Sequence, residues 1–206
     1  MNKSELVSMT LHRFILSLVS CLFLLAGCAN PTFTQTKMDF TPRNWRTIAI
    51  LPFAGDVRFA ATATDTFSAR LLNLKSLRLI QPSETEVVIK KLGIVATPSG
   101  FTVLEAQRVA TEVNADVVIL GVVTSHNNGA TLNGFCTAKL IDSRSGDVVA
   151  VSHHPSGLLF GYSEHQAVVA ATERTSKEIV KILSELEHKN QLTPQRIEKP
   201  KPETSI

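Results

Sequence analysis

One tryptophan, one tyrosine and three cysteines are all that 206 residues hold of those types, and each scarcity excludes something. Two of the cysteines, Cys21 and Cys28, sit within or at the end of a greasy amino-terminal stretch. Once that stretch is set aside, only Cys136 remains, so no disulfide framework can staple the rest of the chain. Neither sign of charge dominates, with 21 Lys and Arg against 18 Asp and Glu and a formal net charge of +3. That balance lacks the dense basic stripe that nucleic-acid binding requires, so nucleic acid is not an expected partner. A long hydrophobic run is also missing. The apolar run at the amino terminus, Phe14 to Gly27, has 14 residues, whereas a bilayer-spanning helix needs about 20. No HExxH, paired CxxC, GxGxxG or GxxxxGK[ST] occurs, which removes the usual local signatures of metal hydrolysis, dinucleotide binding and phosphate cradling.

What is present begins at that amino-terminal stretch. Lys3, His12 and Arg13 precede it, and small residues end it, the pattern of a secretory signal segment. The run Leu24, Leu25, Ala26, Gly27, Cys28 resembles the lipobox of bacterial lipoproteins. That resemblance implies cleavage between Gly27 and Cys28, with a diacylglycerol and an N-acyl chain on Cys28 and no other cofactor. Two or more chains anchor stably where one binds only marginally. Ala29 rather than Asp after the cysteine implies, by the enterobacterial sorting rule of that family, the outer membrane, with the protein on its periplasmic face.

Removing residues 1–27 from 206 leaves 179, enough for one well-cored domain with tails. Residues 28–45 read as a lipidated flexible tether, polar and with two prolines, and residues 189–206 as a disordered tail with three prolines among charges. The tether from Ala29 to Asn44 has a root-mean-square reach of about 20–25 Å, at roughly 5–6 Å × √n. Between them, residues 46–188 alternate strand and helix patterns. TIAILPF (Thr47 to Phe53) is apolar on both faces, as a covered strand is. Phe59 to Leu74 carries helical spacing, and LRLI (Leu77 to Ile80) reads as a short strand. Three capping boxes, Ser83 with Glu86, Thr102 with Glu105 and Ser163 with Gln166, predict helix starts. Gly93 and Asn114 predict helix ends. The last helix, Glu164 to about Glu187, shows Val168, Ala171, Ile179, Leu183 and Leu186 on one stripe. ADVVILGVVTSH reads as a central strand, and Asn127 to Gly129 as a hairpin turn. In the return strand Leu132, Gly134, Cys136, Ala138 and Leu140 make a core face, while Asn133, Phe135, Thr137, Lys139 and Ile141 make a face only partly covered. The expected fold is a single α/β (α+β) domain: a mixed, mostly antiparallel five-stranded sheet flanked by about four helices.

IAILPF, VNADVVILGVV (Val113 to Val123) and KLIDSRSGDVVA (Lys139 to Ala150) resemble landmarks of the CsgG and LpoB group of outer-membrane lipoproteins, which is related in fold to the amino-terminal domain of TolB. The pattern runs over nearly all of Arg46 to Leu186. SGLLFGYSEHQAVVAA is similar to the corresponding region of PelC-type export lipoproteins. The resemblance implies a non-enzymatic scaffold or accessory subunit of an envelope secretion, export or assembly machine, working as a homo-oligomer or with an envelope protein partner. A regulator of a peptidoglycan synthase is the alternative. The PelC resemblance implies a seam built from Phe160 and Tyr162 in a glycine-flanked loop and from Phe135 and Lys139 on the half-covered face. Trp45, close to the anchor, is placed at the membrane interface or over the first strand.

Catalytic candidates are few. Cys136 and His126 are excluded as a nucleophile and base because a two-residue turn sets Cys136 opposite about Gly121, with His126 beside the turn. His153 and His154 are adjacent in a strand and point to opposite faces, so they cannot share a metal, although His165 and Glu164 follow nearby. Asp116 and Asp142 stand at matching strand ends, where aspartates cap turns. No catalytic residue and no metal site is expected.

Overall fold

The computed structural model describes residues 32–37, 40, 45–74, 76–127, 132–157 and 163–192, with the side chains of 189–192 left aside. The expected cleavage position at Gly27 and Cys28, the expected contact residues Phe160 and Tyr162, and residues 193–206 lie outside them. Seven strands and four helices occur among the described residues, in the order β1 (Phe33–Thr36), β2 (Thr47–Ile50), β3 (Ala54–Gly55), α1 (Ala60–Leu71), β4 (Arg78–Ile80), α2 (Pro82–Lys91), α3 (Val103–Val113), β5 (Val117–Asn127), β6 (Leu132–Asp142), β7 (Val148–Pro155) and α4 (Glu164–Leu192).

All seven strands join one mixed sheet in the order β1-β7-β6-β5-β2-β4, with the two-residue β3 pairing β5 beyond the end of β2. The β5–β6–β7–β1 half is antiparallel and the β5–β2–β4 half is parallel. A parallel pair needs a crossover, and α1 supplies the one between β2 and β4. The fold class is therefore the expected one, enlarged by β1 and β3. On the back of the sheet, α1 and α4 pack Phe67, Leu71, Val168, Ala171, Ile179 and Leu183 against Ile48, Ile119, Cys136 and Leu140. On the front, α2 and α3 pack Ile89, Ala106, Val109 and Ala110 against Leu51, Val118, Leu120 and Ile141. Thr85 ties the front layer to the sheet by donating to the Ile50 carbonyl at 2.9 Å.

Sequence signals position most of these elements. The capping boxes at Thr102 and Ser163 both form: Glu105 N donates to Thr102 Oγ1 at 3.2 Å, and Gln166 N to Ser163 Oγ at 3.3 Å. Asn114 ends α3 at φ 53°, and Gly93 follows α2 at φ 64°. The box expected at Ser83 stands two residues earlier, because Pro82 takes the first helical position and leaves Gln81 as the cap, its N–H donating to Glu84 Oε1 at 3.1 Å.

Part of the segment read as a tether is built into the sheet. Phe33–Thr36 pairs with Ala150–His153 of β7, and Lys37 N donates to the Val149 carbonyl at 2.8 Å. All four strand residues are exposed, so the backbone ladder rather than burial holds them. At the other end, the helix α4 continues to Leu192, beyond the boundary expected at residue 188.

Candidate interaction surface

The front helices stop short of covering the sheet. Over β2, β4 and the start of β5 the front face is dry, whereas over β6, β7 and β1 it has no helix above it among the described residues. Strand alternation decides which side chains stand there. In β6, Gly134, Cys136, Ala138 and Leu140 point back to the core, and Phe135, Thr137 and Lys139 point forward, half-buried or exposed. The registers Lys139 with Val151, Thr137 with His153 and Phe33 with His153 carry this face across three strands.

Aromatic rings organise the open area. The His153 imidazole lies between Phe33, with centroids 5.3 Å apart and planes at 18°, and Phe135, at 5.9 Å and 15°. His153 Nδ1 also meets Thr137 Oγ1 at 2.8 Å, which fixes the ring plane. Phe33 remains 44% exposed even so. An exposed apolar face rimmed by Thr124, Gln35 and Lys139 has the make-up of a protein contact surface, with aromatic area at the centre and polar groups around it. Phe135 and Lys139, expected at a contact, both lie here, and Phe33 adds a third residue. The signal for Phe33 was its strand pairing, which the local sequence does not announce.

The remaining candidates resolve as structural groups. Cys136 is fully buried, and burial pushes its thiol up to about 12 despite contacts from Thr175 and Thr172, so no thiolate is available. It stands opposite Val123 rather than Gly121, because the strands end at Asn127 and resume at Leu132, a longer connection than the two-residue turn. His126 pairs with Asn133 and stays away from Cys136. His154 faces the back of the sheet, 3.3 Å from Thr34 Oγ1, and burial holds its pKa below the ordinary value. His165 packs against the Phe59 ring at 6.2 Å. No group of three or more metal-ligating side chains occurs among the described residues.

Of the two strand-end aspartates, Asp142 caps a turn as expected, whereas Asp116 ties the start of β2 to the start of β5. Asp142 Oδ1 accepts from the N–H groups of Arg144 and Ser145, at 3.1 and 2.9 Å. Asp116 Oδ2 accepts from the N–H groups of Arg46 and Thr47, at 2.9 and 3.1 Å. Trp45 belongs to this end of the sheet: its indole N–H donates to Asp142 Oδ2 at 3.0 Å, and its ring tilts against Phe40 at 5.2 Å. A polar cleft of about 520 Å³ opens beside it, lined by Arg108, Asn114, Asp116 and Arg144 among others.

The opposite end carries an ionic clamp. Arg58 donates to Asp56 through Nε at 3.0 Å and Nη2 at 2.6 Å, and meets Glu164, the first residue of α4, at 2.9 Å. Hydrogen bonding from Arg58 is the chief reason that the Asp56 carboxyl is held down at about 2. The clamp joins the loop after β3 to the start of α4, and Ser125 of β5 donates to Asp56 Oδ2 at 3.1 Å. No described helix is long and apolar enough to cross a membrane.

No family model matches the chain, and no curated protein matches it. Solved structures do resemble it. A PelC dodecamer from Paraburkholderia phytofirmans is 14% identical, with 71% of this chain and 95% of that one covered at a TM-score of 0.43. Lipoprotein GNA1162 from Neisseria meningitidis is 13% identical, with 68% and 99% covered at 0.45. The LpoB C-terminal domain from Salmonella enterica is 15% identical, with 57% and 85% covered at 0.40. At such identities and scores, the roles of those proteins do not transfer to this chain.

Proposed function

We propose that this chain is a lipid-anchored, non-enzymatic accessory protein of the bacterial envelope whose open sheet face seats a second copy or an envelope protein partner in an export or assembly machine. The observation that carries this reading is the uncovered half of the front face, where Phe33, His153 and Phe135 stack in the open beside Lys139. An exposed aromatic cluster on a sheet is costly to leave in water and is the kind of anchor that dominates protein contacts. The lipobox at Leu24 to Cys28 and the sorting residue Ala29 support attachment to the periplasmic face of the outer membrane.

Incorporation of Phe33 into the sheet leaves only Ala29 to Thr32 between the acylated residue and the domain. That weighs against the regulator of a peptidoglycan synthase, which needs reach into the periplasm. Light scattering on the soluble fragment Ala29 to Ile206 tests the choice. A dimer or ring that Lys139→Glu reduces to a monomer fits a second copy on that face, and a monomer at every concentration rejects the second copy in favour of a different envelope protein, the synthase of the regulator reading included. Cys28→Ser is expected to release the full chain from membranes on fractionation.

A further inference from the structure

One edge of the sheet is β1, and no strand lies beyond it among the described residues. Lys37 N donates to the Val149 carbonyl at 2.8 Å, so the backbone groups of residue 37 point at β7. Alternation along the strand gives Phe33 and Gln35 the same direction and turns the N–H and C=O groups of Thr34 and Thr36 outward. All four strand residues are exposed, which leaves that outward ladder open to water. Sheet edges are ordinarily blunted by charge, proline or a bulge. FTQT has none of these. Lys37, the first charge after it, is occupied by Asp147 at 3.0 Å. At the opposite edge, β4 has only three residues and begins with Arg78.

The sequence of β1 is also its own match. Thr34, Gln35 and Thr36 read alike in both directions, so two copies laid antiparallel about Gln35 set Thr34 opposite Thr36 and Gln35 opposite Gln35. This register engages both outward residues of both copies. A hydrogen-bonded pair forms wherever Thr34 meets Thr36, giving about four new hydrogen bonds. Directly opposed residues share a face, which sets Phe33 opposite the partner's Lys37 on the front of the sheet. The Phe33 ring, 44% exposed, then has a cation within reach, and no charge meets a like charge. We propose that β1 pairs antiparallel with the β1 of a second copy about a twofold axis at Gln35, joining two sheets edge to edge.

This pairing goes beyond the contact read on the open face, because it uses the strand edge and leaves Phe135 and Lys139 uncovered. The two open faces become one surface, with Phe33, His153 and Phe135 repeated on either side of the axis. A different envelope protein seated there meets both copies at once.

Single cysteines in the full chain, produced in a bacterial host and oxidised in intact cells with copper phenanthroline, test the register as well as the association. Gln35→Cys sets two thiols across the axis at a non-hydrogen-bonded pair, where Cα atoms stand about 4.5 Å apart, within disulfide reach. A reducible dimer is expected that neither the unchanged chain nor Val57→Cys forms, Val57 being 89% exposed and away from β1. Thr34→Cys alone should stay monomeric, since its two copies are diagonal neighbours at about 7–8 Å. Co-expressed with Thr36→Cys it should give the mixed dimer. Adding Thr36→Pro to Gln35→Cys should abolish the dimer: the Thr36 N–H points outward, so proline spares the β1–β7 ladder and blocks the added strand. Circular dichroism verifies the fold of each purified variant. Cross-linking at position 35 no stronger than at 57 overturns the proposal. So does a dimer that survives Thr36→Pro, or Thr34→Cys that dimerises alone as well as it does with Thr36→Cys. Lys139→Glu in the Gln35→Cys chain separates edge from face: an unchanged cross-link supports edge pairing, and a lost one shows copies that meet through the open face, which rejects the edge and keeps the second copy.

Discussion

The front of the sheet has two halves of similar extent and opposite treatment. Over β2 and β5 the side chains Leu51, Val118 and Leu120 are closed off by α2 and α3, while over β6, β7 and β1 the side chains Phe135, Lys139, Val151 and His153 meet solvent. From β2 across to β7, both halves share a back face that α1 and α4 cover. The difference teaches that stability and contact have been given to separate places. The sealed regions hold the fold through apolar burial, and the open half can carry aromatic rings because the strands beneath it are already secured from behind.

The comparison breaks first in the sealed part. Phe67 is entirely buried between α1 and the sheet, tilted against Phe53 at 5.2 Å. Phe67→Ala is expected to cost about 3–5 kcal/mol in denaturant unfolding, the range for a large side chain lost from a packed core. A smaller loss should follow Gly134→Ala. A methyl there would meet the α4 backbone at Ala167 at 2.4 Å, and a helix backbone cannot step aside as a flexible side chain would. The expected cost is about 1–3 kcal/mol, seen as a lower midpoint. On the open half, Phe135→Ala should change stability by less than about 1 kcal/mol yet weaken self-association or partner capture in light scattering. A large stability loss there would show that the two halves are not different in kind.

The smallest effect concerns the ionic clamp. Asp56 has its carboxyl held below the ordinary 3.8, at about 2. The folded state thus binds this proton less readily than the unfolded chain does. The stabilisation is complete above the unfolded value and is lost as pH falls towards about 2. Asp56→Asn should flatten the stability profile between about pH 4 and pH 2 in thermal unfolding, with little change near neutrality beyond the loss of the ion pair.

Much of this division is legible in the sequence, for local reasons. The alternation through β6 already separates a core face, Gly134 to Leu140, from a half-covered face with Phe135 and Lys139. Helix caps at Thr102 and Ser163 and the stop at Asn114 are set by interactions within a few residues, so they are read directly. Strand β1 is different. FTQT has no apolar periodicity, and each of its side chains is exposed, so nothing local distinguishes it from a tether until β7 supplies the partner ladder. The hairpin register fails in the same way: Asn127 to Gly129 marks a turn, but the distance before β6 resumes at Leu132 depends on how the two long strands twist together. At Gln81 the cap is displaced from Ser83 because Pro82 is pre-set for the first helical turn, which outweighs a hydroxyl two positions on. Trp45 is placed by Asp142, 97 residues away in sequence, a pairing that no local pattern contains.

The alignment of β1 bears on how the domain withstands tension. A pull applied at Thr32 along the strand axis would load the whole ladder from Phe33 and His153 to Thr36 and Ala150. Load in that direction is shared by all the β1–β7 hydrogen bonds together, as in a lap joint, instead of peeling them one after another. Four residues can then serve as a mechanical fastening between whatever tugs on the chain's amino-terminal side and the sheet that follows.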